Sequence, residues 1–581
     1  MAGPRFEVEL QAPEPLRSFL LRHTELLRFR DLPDLDRTEL ERLVAQAPAD
    51  LRQLLATQGH FSPVVKLRVA DPDPAGAARP RVLIEVDPGP ATQVASVRID
   101  LAPQASADPE AAARLQAVRE AWSLSPGLGF TQAAWDEAKA STLRSLTGTR
   151  YPTARLAESL ADIDPDSHSA HLSLVLDLGA AYTLGEVRVE GANRYPAENA
   201  VRLARLAGLV PGRVYALADL QAAQQRLAES GYYASAFVYV DTAGPPEAAP
   251  VVLQLRESPR QKLVLGVGAS TDSGPRLSIE HVHHQVPGLN WRATTRARLE
   301  RDTPLLEAEL ASPVDDGGWR WSTGALAQRE RSDDLAITSQ RLRAGRSHTT
   351  AALDRSFYLQ YDRARSDSAA LRALGPLQAE SAVSANYAWT RRRFDSLVLP
   401  RSGHGLAVEL GAGMTLGGTE NLPYLRGRLR WQSLWPLSAG DNDAGRLAVR
   451  LEGGAVWAAE RARIPATQRF LAGGDVSVRG YGVRELGVAQ ADGSVLPGRY
   501  LGVASVEWQR PIRRNGVLTD WEHTVFIDAG SVADRPTDLR PRYGVGTGVR
   551  YNSPVGPLQV DLAYGLETRR WRIHLSVGLT F

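Results

Sequence analysis

The main histidine cluster of the 581-residue chain is His281, His283 and His284. Histidines two residues apart share one face of a strand, where their ring nitrogens could bind a metal ion. The sequence fixes no carboxylate or further histidine beside them, and the pattern is equally typical of a solvated strand end, so we predict no metal site. The serine-hydrolase, zinc-protease and P-loop motifs do not occur in the chain. We therefore predict no catalytic residues, no enzymatic activity and no cofactor.

A glycine-rich stretch at residues 470–481 contains the second group of candidates. Its sequence, FLAGGDVSVRGY, is too polar and too rich in glycine for a membrane-spanning strand, and Arg479 is its single cation. Further along, Gly544, Gly546 and Gly548 alternate with larger residues, which favours a strand over a phosphate-binding loop. Glycines on one face of a strand leave space for another segment to press against that face.

Asp528 is the third candidate. In the segment FIDAG at 526–530, the residues Phe526, Asp528 and Gly530 fall on one face of a strand, and the apolar residues between them fall on the other. The aspartate is therefore predicted to face away from any apolar surroundings of this strand.

The elements that would position these residues change character after Ser258, where helical periodicity stops and alternation with period two begins. The charged residues of 292–300, 425–431 and 446–452 have even numbers, and the apolar residues between them have odd numbers. This pattern predicts strands with one charged face and one apolar face, with odd-numbered side chains on the apolar face throughout. A soluble β-sandwich would show the same alternation.

Three features favour a membrane barrel over a sandwich. Ten of the twelve tryptophans lie within residues 260–581, and barrels place such residues in interfacial girdles. The alternating runs extend over 8 to 10 residues, a length that suits a tilted strand crossing a bilayer. The sequence also ends on a strand pattern whose final residue is Phe581. At about 20 residues per strand and connection, we predict an all-β transmembrane barrel of about 16 antiparallel strands over 260–581.

The amino-terminal part contains a weak repeat with a period of roughly 80 to 90 residues. Val8, Val97 and Val187 occupy equivalent positions in three short strands. Each unit has the order strand, helix, helix, strand, strand, which predicts three α+β domains at 5–90, 91–180 and 181–258.

Composition excludes several classes of protein. The formal charge of +2 gives no clustered basic surface for nucleic acid, and the absence of cysteine removes disulfides and thiolate chemistry. The chain has no apolar run long enough for a transmembrane helix. The sequence from Met1 to Phe6 lacks the features of a secretory signal, so the protein is expected either to be cytoplasmic or to have lost a signal that preceded this numbering.

Four motifs resemble those of the bacterial outer-membrane assembly and two-partner secretion superfamily. They are VRGY at 478–481 after AGG at 472–474, FIDAG at 526–530, SPVGP at 553–557 and STDSGPR at 270–276. The last motif and the number of repeats are similar to the translocation and assembly module (TamA) branch of that superfamily. The resemblance implies that the three repeats are polypeptide-transport-associated (POTRA) domains.

The resemblance also implies that the loop containing Val478, Arg479, Gly480 and Tyr481 folds back into the barrel lumen. There Arg479 would meet Asp528 of the inner-wall motif that also contains Phe526 and Gly530. A guanidinium suits this clamp because it stays charged and binds a carboxylate in a fixed fork. Breaking one side of a buried pair costs about 3 to 5 kcal/mol. The alternative is a solvated pair of lumen charges worth about 0 to 1 kcal/mol.

A lateral gate between the first and last barrel strands is a further implication of the resemblance. Glycines weaken both strands and would help this seam to open towards the bilayer. The gate residues are Leu263, Leu265, Gly266, Val267, Gly268, Leu575, Val577, Gly578, Leu579 and Phe581.

The function implied is that of the outer-membrane component of a translocation and assembly module. Such a component inserts or translocates client autotransporter-type β-barrels, with phospholipid as a further cargo. Its POTRA domains would lie in the periplasm and bind a TamB-like protein that is anchored in the inner membrane. The expected partners are thus this protein, client outer-membrane proteins and the lipid bilayer, without nucleic acid.

Other functions remain open on the sequence. A general barrel-assembly subunit would have five repeats, and a two-partner secretion transporter would have two repeats with a plug helix. A barrel-anchored enzyme such as a patatin-like lipase would need a serine elbow, and a passive pore would conduct without any client.

Overall fold

The computed structural model describes most of the chain, in two compact units. The described residues are 6–30, 35–70, 80–103, 109–270, 274–332, 335–350, 352–373, 375–396, 399–418, 420–437, 445–490, 493–514, 517–553 and 556–577. The first unit comprises Met1–Gly191, Ala207–Ser230 and Ser235–Arg256, and the second comprises Ala192–Leu206, Gly231–Ala234 and Glu257–Phe581.

Three small sheets with helices form the amino-terminal part. The elements of the first sheet are β1 (Glu7–Gln11), α1 (Leu16–His23), α2 (Glu25–Arg28), α3 (Arg37–Thr57), β2 (Val64–Ala70) and β3 (Arg81–Asp87). Those of the second are β4 (Gln93–Leu101), α4 (Ala111–Ala121), α5 (Gln132–Thr147), β5 (Arg155–Asp164) and β6 (Ser169–Asp177). Those of the third are β7 (Leu184–Glu190), α6 (Ala197–Leu206), α7 (Leu217–Glu229), β8 (Tyr233–Val240) and β9 (Ala249–Glu257).

All three sheets share one topology. The strand orders are β1-β3-β2, β4-β6-β5 and β7-β9-β8, and the first strand runs parallel to the last in each. The predicted order of strand, helix, helix, strand and strand recurs, with the short helix α2 as an addition in the first sheet. In that sheet, Val82 and Ile84 alternate inwards on β3 and pack with Leu51 and Leu55 of α3. The domain limits at 5–90, 91–180, 181–258 and 260–581 stay predictions.

A sixteen-stranded antiparallel sheet follows among the described residues, and its neighbours are consecutive along the chain. The strands of its first half are β10 (Gln261–Ser270), β11 (Gly274–His283), β12 (Arg292–Glu300), β13 (Leu305–Ala311), β14 (Trp319–Ser332), β15 (Leu335–Thr349), β16 (Leu353–Asp367) and, after helix α8 (Ala369–Ala373), β17 (Glu380–Phe394). Those of the second half are β18 (Gly403–Leu416), β19 (Pro423–Pro436), β20 (Arg446–Ala458), β23 (Tyr500–Arg514), β24 (Val517–Ala533), β25 (Arg542–Ser553), β26 (Gly556–Gly565) and β27 (Arg570–Val577).

The connection between β20 and β23, residues 459–499, is named the lumenal loop, and its contacts show that the sheet curves into a barrel. It contains the two-residue strands β21 (Val488–Ala489) and β22 (Val495–Leu496). Arg484 of this loop pairs with Glu330 on β14, while Glu485 pairs with Arg572 on β27 at 3.2 Å. In a flat sheet those two strands would lie about 50 Å apart. The predicted transmembrane barrel of sixteen antiparallel strands is therefore confirmed.

The rule that odd-numbered side chains face outwards throughout is wrong for five strands. Directly paired residues of an antiparallel ladder point to the same side of the sheet. Where an odd-numbered residue pairs with an even-numbered one, the outward-facing side chains are therefore odd-numbered on one strand and even-numbered on its neighbour. Leu342 of β15 pairs with Ala325 of β14, and Leu342 is an exposed residue with an even number. The strands with even-numbered residues outside are β13, β15, β18, β23 and β26.

The strands differ in length around the barrel. Those from β10 to β13 have 7 to 10 residues, whereas those from β14 to β20 have 13 to 15. The longest is β24, with 17 residues. No helix in the described part of the chain is long and apolar enough to span a membrane.

Candidate functional site

Glycines allow the lumenal loop to turn back against the barrel wall. Gly473, Gly474 and Gly480 have φ angles of 108°, 94° and 92°, a region that residues with a side chain rarely adopt. Gly480 also packs against the backbone of β26, where a Cβ would lie 2.8 Å from the Gly565 nitrogen. This turn carries Arg479 to the inner wall.

Arg479 makes a forked contact with Asp528 of β24. The arginine Nε donates to Asp528 Oδ2 at 2.8 Å, and Nη2 donates to Oδ1 at 3.0 Å. The backbone N–H of Arg479 also donates to Oδ2, at 3.0 Å. Because Asp528 is 0% exposed and Arg479 is 6% exposed, this pair is buried rather than solvated.

Two more carboxylates surround the same guanidinium. Nη1 of Arg479 donates to Glu507 Oε2 on β23 at 2.6 Å and to Asp561 Oδ2 on β26 at 2.9 Å. Arg550 of β25 binds the other oxygen of Glu507 at 3.1 Å. One arginine of the loop thus holds acidic groups from three strands.

The electrostatics of the site keep Arg479 charged. Burial alone lowers the pKa of this arginine, but the adjacent Asp528, with Glu507 and Asp561, raises it above its ordinary value. The guanidinium carbon also lies 3.4 Å from the centroid of the Phe526 ring, which is a cation–π contact.

The residues on either side of Arg479 contact the wall as well. Val478 is fully buried beside Gly530, where a Cβ on the glycine would lie 2.4 Å from Val478 Cγ2. The Gly480 N–H donates to His574 Nε2 of β27 at 3.1 Å. The Tyr481 hydroxyl bonds to Glu567 and to the Tyr543 carbonyl. Burial is the main cause that raises the pKa of Tyr481.

The glycines of β25 provide space for the loop at Gly544 and for wall side chains that contact Arg479 at Gly546 and Gly548. A Cβ on Gly544 would lie 1.8 Å from the Arg479 carbonyl oxygen. A Cβ on Gly546 would lie 2.4 Å from the Phe526 ring, and one on Gly548 would lie 2.0 Å from Asp561. These three positions therefore leave no room for a side chain.

The start of the lumenal loop has a second anchor on another part of the wall. Asp362 of β16 is 0% exposed and accepts hydrogen bonds from Gln468 Nε2 at 2.6 Å and Thr467 Oγ1 at 3.2 Å. Arg341 of β15 pairs with the same carboxylate at 3.0 Å. Carboxylates at two places on the wall thus hold the loop across the lumen.

Seven of the ten predicted gate residues lie on β10 and β27. Leu263, Leu265 and Val267 are exposed, the last of them to 89%. Gly266 and Gly268 belong to β10, and Leu575 and Val577 belong to β27. The remaining gate residues, Gly578, Leu579 and Phe581, lie outside the described residues.

Sequence reasoning missed Glu507 and Asp561. Both lie on strands whose even-numbered residues face outwards. The rule that odd-numbered side chains face outwards on every strand therefore predicted, wrongly, that these two carboxylates face lipid. The local signal was nevertheless present, because each carboxylate stands alone between two apolar residues. Such a residue must be on the inner face of a membrane barrel.

The histidine cluster does not form a group. His284 is buried, its ring lies 6.4 Å from that of Tyr232, and burial lowers its pKa. His281 contacts Gln261 at 3.4 Å. Within the described residues, no group of three or more His, Cys, Asp or Glu side chains has an arrangement that could hold a metal ion.

Comparison with known protein families assigns the class. A family model described as "Omp85 superfamily domain" matches residues 276–581, and one described as POTRA, "Surface antigen variable number repeat", matches residues 182–258. Since the first match covers more than half of the chain, the chain belongs to the Omp85 superfamily of outer-membrane β-barrel proteins with POTRA domains.

Individual relatives are more distant. The chain is 23% identical over 437 residues to outer membrane protein assembly factor BamA of Nitratidesulfovibrio vulgaris, covering 72% of this chain and 53% of the relative. It is 35% identical over 122 residues to the chloroplastic outer envelope protein 80 of Arabidopsis thaliana, covering 19% of this chain and 15% of the relative. The chain thus spans about half or less of the length of these relatives.

A solved structure shares the fold. BamA from Haemophilus ducreyi lacking POTRA domains 1–3 aligns with a TM-score of 0.59 at 15% identity, over 84% of this chain and 98% of that one.

Proposed function

We propose that this protein is the outer-membrane component of a translocation and assembly module of the TamA type. It inserts or translocates client β-barrels of the autotransporter type through a lateral gate between β10 and β27. Phospholipid is a second cargo in the same proposal, and the POTRA repeats lie in the periplasm.

The observation that carries this proposal is the pair of sheet edges at β10 and β27. In the ladders of the described residues, each of these strands pairs with one neighbour only, β11 and β26 respectively. An edge strand offers unpaired N–H and C=O groups to a further strand. A client β-strand that enters from the bilayer would find a template there by strand addition.

The three small sheets support the TamA branch and a periplasmic partner. The described residues contain three sheets of one topology, the number of repeats that the resemblance to this branch implies. The strands β2, β5 and β8 lie at edges of these sheets and can accept an added strand. A TamB-like protein anchored in the inner membrane is the partner proposed for these edges.

Crosslinking tests the gate. The chain has no cysteine, so the double variant Val267→Cys with Val577→Cys introduces the only two thiols. We expect a disulfide to form in membranes and to stop surface display of an autotransporter, because it closes the seam. Reduction should restore display.

A second engineered disulfide, placed away from the seam, controls for any effect of a crosslink that does not depend on closing the gate. Ala325 and Leu342 are already paired between β14 and β15, so Ala325→Cys with Leu342→Cys should leave display unchanged. Full activity of the crosslinked gate variant would refute the lateral gate.

Co-purification from the envelope tests the branch. Removal of one repeat at a time, at 5–90, 91–180 or 181–258, should abolish recovery of a TamB-like protein in at least one variant, because a repeat edge forms the contact. If the full chain retains no such protein, the TamA assignment is wrong even when the crosslinked gate behaves as expected.

A further inference from the structure

Four arginines lie on the outer surface of the barrel at one end. Arg329 and Arg331 are on β14, and Arg363 and Arg365 are on β16. They share the face of the exposed Trp321 and Leu359, and all four are exposed. We name this group the exterior arginine patch. The end of the barrel at which it lies is called the far end, and β10 reaches that end at Ser270.

The strand register fixes the spacing of the patch. Thr338 of β15 pairs with Arg329 on one side and with Arg365 on the other, so these two arginines lie at one level about 10 Å apart. Arg331 follows Arg329 by two residues and lies about 7 Å nearer the far end. Arg363 precedes Arg365 by two residues and lies about 7 Å farther from that end. Between the charges, β15 presents the polar side chain of Thr338.

Two outward arginines at the opposite end of β15 and β16 have partners. The Arg346 guanidinium lies 4.6 Å from the Trp319 ring centroid and pairs with Asp315 at 3.5 Å. Arg355 lies 5.4 Å from the same Trp319 ring. In the described part of the chain, no aromatic ring or carboxylate is hydrogen-bonded or ion-paired to the four arginines of the patch, and Asp367 acts on Arg329 and Arg365 through space only. Their guanidinium groups therefore keep donors available for an external anion.

Away from the patch, the outward strand positions near the far end are uncharged. Outward positions in the far halves of β17 to β20 and β23 to β27 carry no charge among the described residues. Beside the patch, Asp367 is bound to Arg372 at 2.6 Å. Asp333 and Asp334 follow in the chain and lie outside the described residues.

The depth of the patch is that of lipid headgroups. Arg355 and Arg363 face outwards on β16, and the residues between them on that face include the apolar Phe357 and Leu359. Eight residues of a strand tilted by about 40° rise about 20 Å, close to the apolar band of about 25 Å on such barrels. Arg363 therefore lies at the edge of the acyl region, and Arg365 lies beyond it.

We propose that the exterior arginine patch binds the two phosphates of a diphosphorylated lipid in the leaflet around the far end of the barrel. Arginine binds phosphate oxygens in a fork, and the separation of Arg329 from Arg365 suits two phosphates on one headgroup. The proposal depends on the outer-membrane location of the barrel but not on the client or the gate.

Lipid titration of the purified full chain in detergent, followed by native mass spectrometry, tests the proposal. The probes are diphosphoryl lipid A, monophosphoryl lipid A, phosphatidylglycerol and inorganic phosphate. We expect the wild type to prefer diphosphoryl lipid A, and we expect Arg329→Gln with Arg365→Gln to weaken that binding at least about tenfold. The exposed side chains make no contacts that the fold requires, and the shift of the unheated barrel on a gel checks folding.

The matched control is Arg391→Gln with Arg393→Gln, which removes two exposed outward arginines at the opposite end of β17. It should leave binding unchanged. Equal losses in both double variants, equal binding of all three lipids, or displacement of lipid by millimolar inorganic phosphate would each overturn the proposal.

Discussion

Replacement of Arg479 by alanine is expected to leave the barrel folded but to release the lumenal loop and impair client assembly. The change would leave Glu507, Asp528 and Asp561 buried with their main cation removed. Loss of one side of a buried ion pair costs about 3 to 5 kcal/mol. Limited proteolysis of the loop and surface display of an autotransporter measure the two effects.

An exposed ion pair provides the control for Arg479→Ala. Arg535 pairs with Glu460 at 3.0 Å, with both side chains mostly in solvent, so Arg535→Ala should change stability by about 0 to 1 kcal/mol and leave display intact. Arg479→Lys should recover only part of the function, because an ammonium cannot reproduce the fork. Wild-type display by Arg479→Ala would show that the clamp is not needed.

Replacement of Gly544 by alanine should displace the loop without removing any charge. The added methyl group would lie 1.8 Å from the Arg479 carbonyl oxygen, a backbone atom that cannot swing aside. Overpacking of this kind costs about 1 to 3 kcal/mol. We expect increased cleavage of the lumenal loop by protease and reduced client assembly, with an unchanged shift of the unheated barrel on a gel.

Gly453 is the matched control for Gly544. It also lies in a barrel strand, β20, but a Cβ at this position meets no atom within 4 Å. Gly453→Ala should therefore behave as the wild type in both assays. If the two alanine variants are equally protected from protease, the loop does not depend on the space at Gly544.

Local patterns in the sequence were sufficient for the architecture. Alternation with period two depends only on the residues of one strand, so it reveals the strands and the polar face of Asp528. The tryptophan distribution, the length of the alternating runs and the final strand pattern then favour a barrel over a sandwich. The order of elements in the repeats is likewise local. The face of the sheet on which a strand places its odd-numbered residues is not a local property. It is set by the pairing register and by the lengths of the turns that join neighbouring strands.

This dependence on register explains which parts of the site could not be predicted. Glu507 and Asp561 lie on strands of inverted parity, and their approach to Arg479 joins segments 28 and 82 residues apart. Asp362, which holds Gln468, belongs to no motif and is brought near only by closure of the barrel. The Arg479–Asp528 contact was anticipated through a resemblance, and its role as a clamp stays a prediction.

The unequal strands described above also give the barrel an uneven height. At a tilt of about 40°, the seven residues of β13 rise about 18 Å, whereas the seventeen of β24 rise about 44 Å. An apolar band of about 25 Å exceeds the first height and fits within the second. Lipids beside β13 must compress to match, at a cost of a fraction of a kcal/mol per Å, so the bilayer is expected to be thinner on that side of the barrel than beside β24.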